Sequence, residues 1–324
     1  MKRRIGIIGL GDIAQKVYLP MLSADSRVDI VGLCSRRLST VEAVADQYRI
    51  KGRYDTLTAL LAEEPDAVFV HSPTETHYEI VMDCLRHGVP VYVDKPLSYD
   101  YRESEAMAQL ALERGLLLAV GFNRRFAPLY QQAKRWVEEA GGFDLCTVVK
   151  HRTKLQLHSA KHTLYDDLIH MLDLLLWLGG TSYKDLHYVE QADEEGRLIL
   201  GSGSLVFDGA GAGAEGGAVA RETARTGQFS MSRRAGADLE KLELHGAGRS
   251  AEVVNMESAV WMEKEAQPRA GGFGSWDTIL HRRGFAGVIA HFLDSLSEPL
   301  SCTIKADLTL PSHKLVERLN LHTQ

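Results

Sequence analysis

The sequence has no long apolar run. No stretch of its 324 residues approaches the roughly 18 consecutive hydrophobic positions that a membrane-spanning helix needs, so no membrane span is expected. It has few cysteines and no paired spacing. Cys34, Cys84, Cys146 and Cys302 stand far apart with no CxxC among them. This argues against a disulfide framework and leaves reduced, mostly buried thiols as the expectation. It has no excess of positive charge: 37 Lys and Arg against 43 Asp and Glu give a net charge of −6 with His neutral. General nucleic-acid binding is therefore not expected. The basic opening Met1-Lys2-Arg3-Arg4 runs straight into Ile5–Gly9 with no apolar core or cleavage site of a leader, which makes the cytoplasm the expected location. No repeat at solenoid spacing is visible. The low-complexity stretch GAGAGAEGG at Gly209–Gly217 lacks the strand-turn-helix context of a phosphate loop and reads as a hairpin tip.

What the sequence does contain is an ordinary globular composition, 45% hydrophobic and 25% charged, at a length that suits two domains. The first 122 residues alternate short apolar runs with amphipathic stretches. Arg4–Ile8, Val28–Leu33, Ala67–Val70, Val89–Val93 and Leu116–Val120 read as strands; Ile13–Leu22 and Thr40–Tyr48 read as helices. That rhythm predicts an α/β domain at residues 1–122, a doubly wound parallel sheet of Rossmann type. After Phe126 the pattern changes. Leu129–Ala140 predicts a helix stopped by Gly141-Gly142, Leu145–Arg152 a strand, and Leu164–Leu178 a strongly apolar helix stopped by Gly179-Gly180. Tyr183–Ser230 offers strands without helices between them, and Gly284–Leu296 and Ser312–Leu321 are helix-like. Residues 123–324 are thus expected to form an α+β domain with an open, mostly antiparallel sheet, and a cleft between the two domains to take the substrate.

Gly9-Leu10-Gly11-Asp12-Ile13-Ala14 fits G-x-G-x-x-A between a strand and a helix. The first glycine permits the tight turn, the second lets backbone approach a pyrophosphate, and the small third residue allows close helix–strand packing. The helix start faces the anion. Gly9, Gly11, Asp12 and Ile13 are therefore candidate cofactor residues. After the second strand, where an NAD-selective site places a carboxylate for the ribose 2′-hydroxyl, stand Ser35-Arg36-Arg37. A hydroxyl and two guanidinium groups suit a 2′-phosphate, so NADP(H) is expected over NAD(H).

Several segments in order are similar to the Gfo/Idh/MocA oxidoreductase family. They are Gly6–Ala14, His71-Ser72-Pro73-Thr74-Glu75-Thr76-His77, Val93-Asp94-Lys95-Pro96, Gly121-Phe122-Asn123-Arg124-Arg125-Phe126 and DDLIHMLD at Asp166–Asp173. Further segments, VDKPLS, VGFNRRFAPLY, SRRAG at Ser232–Gly236 and RRGFAG at Arg282–Gly287, resemble its MviM-like branch. The resemblance implies cofactor contacts from Ser72, Pro73, His77, Asp94 and Lys95, and homo-dimers or tetramers built on the open sheet. Asp94 stands where the family usually has Glu. Asn123 is a weaker candidate for touching nicotinamide or substrate.

Oxidising an alcohol needs a hydride acceptor, which a nicotinamide supplies, and a base for the hydroxyl proton, which the protein supplies. Lys95 follows an apolar strand at the carboxyl edge of the sheet, where ligands of doubly wound folds bind. His170, with Asp166 four residues before and Asp173 three after, forms a polar stripe on an apolar helix. The resemblance implies that Lys95, Asp166 and His170 are catalytic, with His170 as general base and acid. Asp167 adjoins Asp166, and which of the two faces the site stays open here; the family spacing selects Asp166. His158 and His162 lack the further ligands of a zinc site, so no metal is expected and substrate contact suits them better. The predicted activity is hydride transfer between NADP(H) and a small polyol, sugar or cyclitol-like substrate. Its rivals are a redox-neutral, dinucleotide-dependent glycoside hydrolase, a non-catalytic NADP-responsive regulator, and reduction of a non-sugar carbonyl or imine.

Overall fold

The computed structural model describes residues 2–208 and 224–321; the expected hairpin tip at Gly209–Gly217 lies outside the described residues. The chain divides into two compact units, Met1–Phe122 with Val288–Leu310, and Asn123–Gly287 with Pro311–Gln324. The sequence pattern places Val288–Leu310 with residues 123–324. It joins the first unit instead, because Val120 N–H donates to Ile304 O (2.9 Å) and Phe292 packs edge-on against Phe69 at 5.1 Å. Such long-range packing leaves no mark on local periodicity. No helix among the described residues is long and apolar enough to cross a membrane.

The first unit holds β1 (Arg3–Ile8), β2 (Val28–Cys34), β3 (Arg53–Tyr54), β4 (Ala67–Val70), β5 (Val91–Val93) and β6 (Leu118–Val120). They form one parallel sheet in the order β3-β2-β1-β4-β5-β6. β4, β5 and β6 are buried at every position, as strands covered by helices on both faces must be. The strand order reverses between β1 and β4, and in such sheets ligands bind outside the carboxyl ends at that switch point. Those ends carry Gly9, His71, Asp94 and Gly121. The helix after Gly11 opens with a π turn, Ala14–Tyr18, before Leu19–Ala24. Pro20 explains the wider turn: a proline has no N–H to give and its ring collides with the carbonyl four residues back.

The second unit holds β7 (Leu145–His151), β8 (Tyr183–Ala192), β9 (Leu198–Phe207), β10 (Arg225–Ser232), β11 (Leu239–Gly246), β12 (Arg249–Val254), β13 (Ser258–Glu263) and β14 (Arg269–Gly272). Their order is β14-β13-β12-β11-β7-β10-β9-β8. Only β7 and β10 pair in parallel; the other neighbours are antiparallel. One sheet face is buried in strict alternation, by Cys146, Val148 and Lys150 on β7 and by Glu240, Leu242 and Leu244 on β11. The helices Pro128–Glu138 and Ile169–Gly179 pack against these strands. The second ends close to β9, because a Cβ on Gly179 would stand 2.4 Å from the Phe207 ring. The last helix runs Ala306–Leu321, with Pro311 inside it, so it begins before the expected Ser312. All four cysteines are buried thiols.

Candidate functional site

At the carboxyl edge of the parallel sheet, Gly9 has φ +85°, and a Cβ there would lie 2.3 Å from the Ser72 nitrogen. No other residue fits this turn, which brings the loop after β1 against the loop after β4. Gly11 is exposed, and nothing lies within 4 Å of the Cβ it lacks. The space beside the Gly11 backbone, just before the first helix, is therefore open. Asp12 pairs with Lys16 on the helix surface, and Ile13 is partly exposed beside it. After β2, Ser35 is half-buried with its N–H bonded to Tyr54 O (3.2 Å). Arg36 and Arg37 are exposed and make no ion pair among the described residues.

Ser72 is half-buried and its hydroxyl accepts from Thr76 Oγ1 (2.8 Å), while Pro73 is exposed. His77 is buried, with Nδ1 at 3.0 Å from Pro96 O and Nε2 at 2.9 Å from Ser72 O. Burial pushes its pKa down against the pull of these carbonyls. The ring therefore faces backbone: it ties the Ser72 loop to the turn after Lys95, whose Lys95–Pro96 bond is cis. His77, a cofactor candidate in the sequence, has both ring nitrogens against backbone carbonyls.

Asp94 is turned inward. His71 Nδ1–H donates to Oδ2 (3.0 Å) and the Tyr18 hydroxyl to Oδ1 (2.8 Å). Tyr18 has a single hydroxyl proton, so the Tyr92 hydroxyl, 2.9 Å away, donates to the Tyr18 oxygen. The His71 ring stacks on Tyr18 at 3.8 Å. Burial would raise the Asp94 carboxyl, but His71, Tyr18 and the charge of Lys95 together hold it below the usual range. Burial, and then Asp94 itself, push both tyrosine hydroxyls well up, so they remain neutral donors. Gly121 makes room for this nest, since a Cβ there would meet the Tyr92 hydroxyl at 2.8 Å and Asp94 Oδ1 at 3.1 Å. Lys95 is half-buried at the strand end, one residue beyond this carboxylate.

In the second unit, the segment expected as one regular helix from Leu164 opens with a π turn, Leu164–Leu168, and continues as Ile169–Gly179. Such turns are frequent at functional sites. His170 is buried and Asp166 half-buried. Asp167 is bound by Lys150, Arg233 and Gln156 Nε2 (3.3 Å). Asp173 is not part of an open polar stripe. It is buried and held by Arg125 through two bonds (2.8 and 2.5 Å) and by the Ser312 hydroxyl (2.8 Å). Asn123 is buried and its amide donates to Arg283 O (2.7 Å). His162 Nδ1 lies 2.8 Å from the Ser159 hydroxyl, with the His158 ring 6.2 Å from its own.

A second polar cluster lies on the buried sheet face. Glu240 takes two bonds from Arg124 (2.8 and 2.9 Å) and another from Arg152. Burial alone would raise Glu240, but Arg124 and Lys150 hold it well below the usual carboxylate range. Lys150 stands opposite Glu240 across β7 and β11. Burial, and then the charge of Arg124, lower it to about 7 in spite of Asp167 and Glu240.

Residues 3–122 match the family described as "Oxidoreductase family, NAD-binding Rossmann fold", and residues 128–210 match "YceM-like, C-terminal domain". The Salmonella typhimurium protein YceM is 35% identical over 320 residues, covering 98% of this chain and 96% of its own. This chain belongs to the Gfo/Idh/MocA oxidoreductase family. Within the family it is MviM-like. The solved structure of the dehydrogenase MviM from Clostridium difficile superposes with a TM-score of 0.87 at 30% identity, over 99% of this chain and 100% of that one. The UDP-N-acetylglucosamine 3-dehydrogenase of Acidithiobacillus ferrooxidans is 28% identical over 255 residues, 78% of this chain and 79% of its own.

Four members of these clusters escape the sequence reading, namely Tyr18, Tyr92, Lys150 and Glu240. Tyr18 and Tyr92 read as apolar filling, and only the fold brings them to Asp94. Lys150 and Glu240 did leave a signal. Each is a charge at an inward position of a period-two strand, where burial without a partner would cost several kcal/mol, so a built polar site is implied.

Proposed function

We propose that this oxidoreductase transfers hydride between NADP(H) and a hydroxyl-bearing carbon of a small polyol, sugar or cyclitol-like substrate. The substrate class is supported by the likeness to a sugar-nucleotide dehydrogenase. The observation that carries the cofactor choice is the pair Arg36 and Arg37, exposed beside Ser35 at the end of β2, with no ion pair among the described residues and no carboxylate in the ribose position. The turn from Gly9 to Ile13 would hold the pyrophosphate, Ser35, Arg36 and Arg37 the 2′-phosphate, and Ser72 and Pro73 the neighbouring ribose. When bound, the nicotinamide supplies the hydride acceptor or donor. Lys95 would polarise the substrate oxygen. His170 would take the hydroxyl proton as the carbonyl forms and return it in the reverse direction, with Asp166 orienting it. Asp94, held from beneath by His71 and Tyr18, would fix the strand end that carries Lys95. Assembly as a homo-dimer or tetramer through the open sheet fits this account, and sedimentation would test it.

The cofactor assignment is tested by titrating NADPH and NADH into the protein. A hydrogen bond to a charged group contributes about 1.5–3 kcal/mol, so NADPH should bind roughly ten- to a hundred-fold tighter than NADH. Arg36→Ala should remove most of that difference and Ser35→Asp should reverse it. Equal affinities would show that these arginines are only solvated.

A further inference from the structure

Two segments carry more charge than hydride transfer needs. The end of β7 and the turn after β10 lie side by side, with Arg152 N–H bonded to Ser232 O (2.8 Å) and Ala235 N–H to Arg152 O (3.1 Å). They gather Lys150, Arg152, Lys154, Arg233 and Arg234, and Arg124 joins them through Glu240. Against these six cations stand Glu240, Asp167, Asp238, which accepts from Thr153 N–H, and Asp166 if the residue beside Asp167 is counted. Cations exceed carboxylates by at least two. Lys154 and Arg234 pair with no carboxylate among the described residues. Arg124, Lys150, Arg233 and Glu240 are all buried. Lys154, Arg234 and Asp238 are exposed and solvated, which leaves Arg124, Lys150, Arg152 and Arg233 against Glu240, Asp167 and Asp166; charge withdrawn from water needs a counter-charge, and this group is one short.

We propose that this basic cluster recognises an oxyanion, a carboxylate or a phosphate, on the substrate, so that the preferred substrate is an acidic sugar or a sugar phosphate rather than a neutral polyol. The inference rests on the second unit being the substrate-binding part of the oxidoreductase. The side chains present suit such a ligand, because guanidinium forks bind both oxyanions through paired hydrogen bonds. Arg152 is the most accessible of those bound to Glu240.

Lys150 makes the recognition pH-dependent. The charged groups around it are Arg124 from the turn Asn123–Phe126, Asp167 from the π turn, Glu240 from β11, Arg152 from the end of its own strand and Arg233 from the turn after β10. Tyr130, on the helix Pro128–Glu138, faces Glu240 and Arg124 with a buried hydroxyl that has no hydrogen-bond partner among the described residues. Without an added anion, Lys150 loses its proton near pH 7. A bound oxyanion favours the charged form, so binding takes up a proton. Affinity is then highest below neutrality and falls as pH rises through about 7.

The test uses the full chain saturated with NADP(H) and titration calorimetry below, at and above neutrality, in two buffers of different ionisation enthalpy. The probes are matched trios, such as glucose, glucuronate and glucose 6-phosphate, repeated on the galactose and mannose scaffolds, and inorganic phosphate alone. The charged members should bind at least about ten-fold tighter than the neutral one, with proton uptake. Glucuronate ahead of glucose 6-phosphate identifies a carboxylate site, and the reverse a phosphate site. Arg152→Gln should remove most of the advantage of the charged members. Lys150→Arg should keep the binding and flatten its dependence on pH. Neutral sugars that bind as tightly as their charged partners, or no binding of any anion below neutrality, would overturn the proposal. Anion binding without hydride transfer would remove the assigned chemistry and leave the cluster's role standing; hydride transfer confined to neutral sugars would do the opposite.

Discussion

The two units bury polar groups in opposite ways. In the first, one carboxylate, Asp94, is enclosed by His71, Tyr18 and Tyr92, and each hydroxyl proton has one destination. In the second, the cluster withdrawn from water around Glu240 and Lys150 holds more cations than carboxylates, and one lysine is driven toward neutrality. The difference follows from what each unit has to hold. A cofactor is the same molecule in every turnover, so the sheet edge that meets it can be fixed by geometry: a left-handed glycine, a buried histidine set between two backbone carbonyls, a closed aromatic nest. A substrate brings its own charge and leaves, and on the proposed reading a cluster that receives it would stay out of balance until it arrives.

The largest expected effect falls on the two residues proposed to carry the chemistry. Lys95→Ala and His170→Ala should each lower turnover by about 10²–10⁴-fold with the fold intact, read as kcat, with dinucleotide affinity unchanged in His170→Ala. Near-normal turnover in His170→Ala would take the second unit out of the proton transfer and break the comparison. Next is the balanced pair in the second unit, which behaves like the first unit's nest. Asp173→Ala strands Arg125 in a buried setting, and breaking one side of a buried pair costs about 3–5 kcal/mol. Urea unfolding should show a loss of that size; a loss below about 1 kcal/mol, the level of exposed pairs, would mean that solvent reaches Arg125. Smallest in stability is Gly9→Ala, where forcing a methyl group into packed backbone costs about 1–3 kcal/mol. Its use lies in selectivity: dinucleotide binding should fail while the oxyanion binding proposed for the second unit persists.

Much of the first unit was legible in the sequence because its signals are local. Parallel strands buried on both faces read as short apolar runs, and Gly9-Leu10-Gly11 sits between strand and helix as its backbone role requires. Strand ends were placed within two residues at Val91–Val93 and Leu118–Val120. The expected parallel and antiparallel sheets are both present. The rest depended on distance along the chain. Tyr18 and Asp94 are 76 residues apart and Arg124 and Glu240 are 116 apart, and neither pair disturbs the local pattern. Asp173 shows the converse. It does lie on the same helix as His170, but spacing gives a face and not a partner, and Arg125 claims it. The Asp166–Asp167 doublet looks symmetrical in sequence until the π turn gives Asp167 to Lys150 and Arg233.

The central claim is net hydride transfer rather than transient oxidation or mere sensing. The most direct measurement follows nicotinamide absorbance of the purified full chain with NADP⁺ and the sugar panel, in excess over enzyme, alongside product analysis. The account predicts NADPH accumulating in proportion to ketone or lactone formed, with the signal lost in Lys95→Ala. Substrate consumed while the bound cofactor ends each turnover unchanged, or tight NADP(H) binding with no substrate consumed, would contradict it.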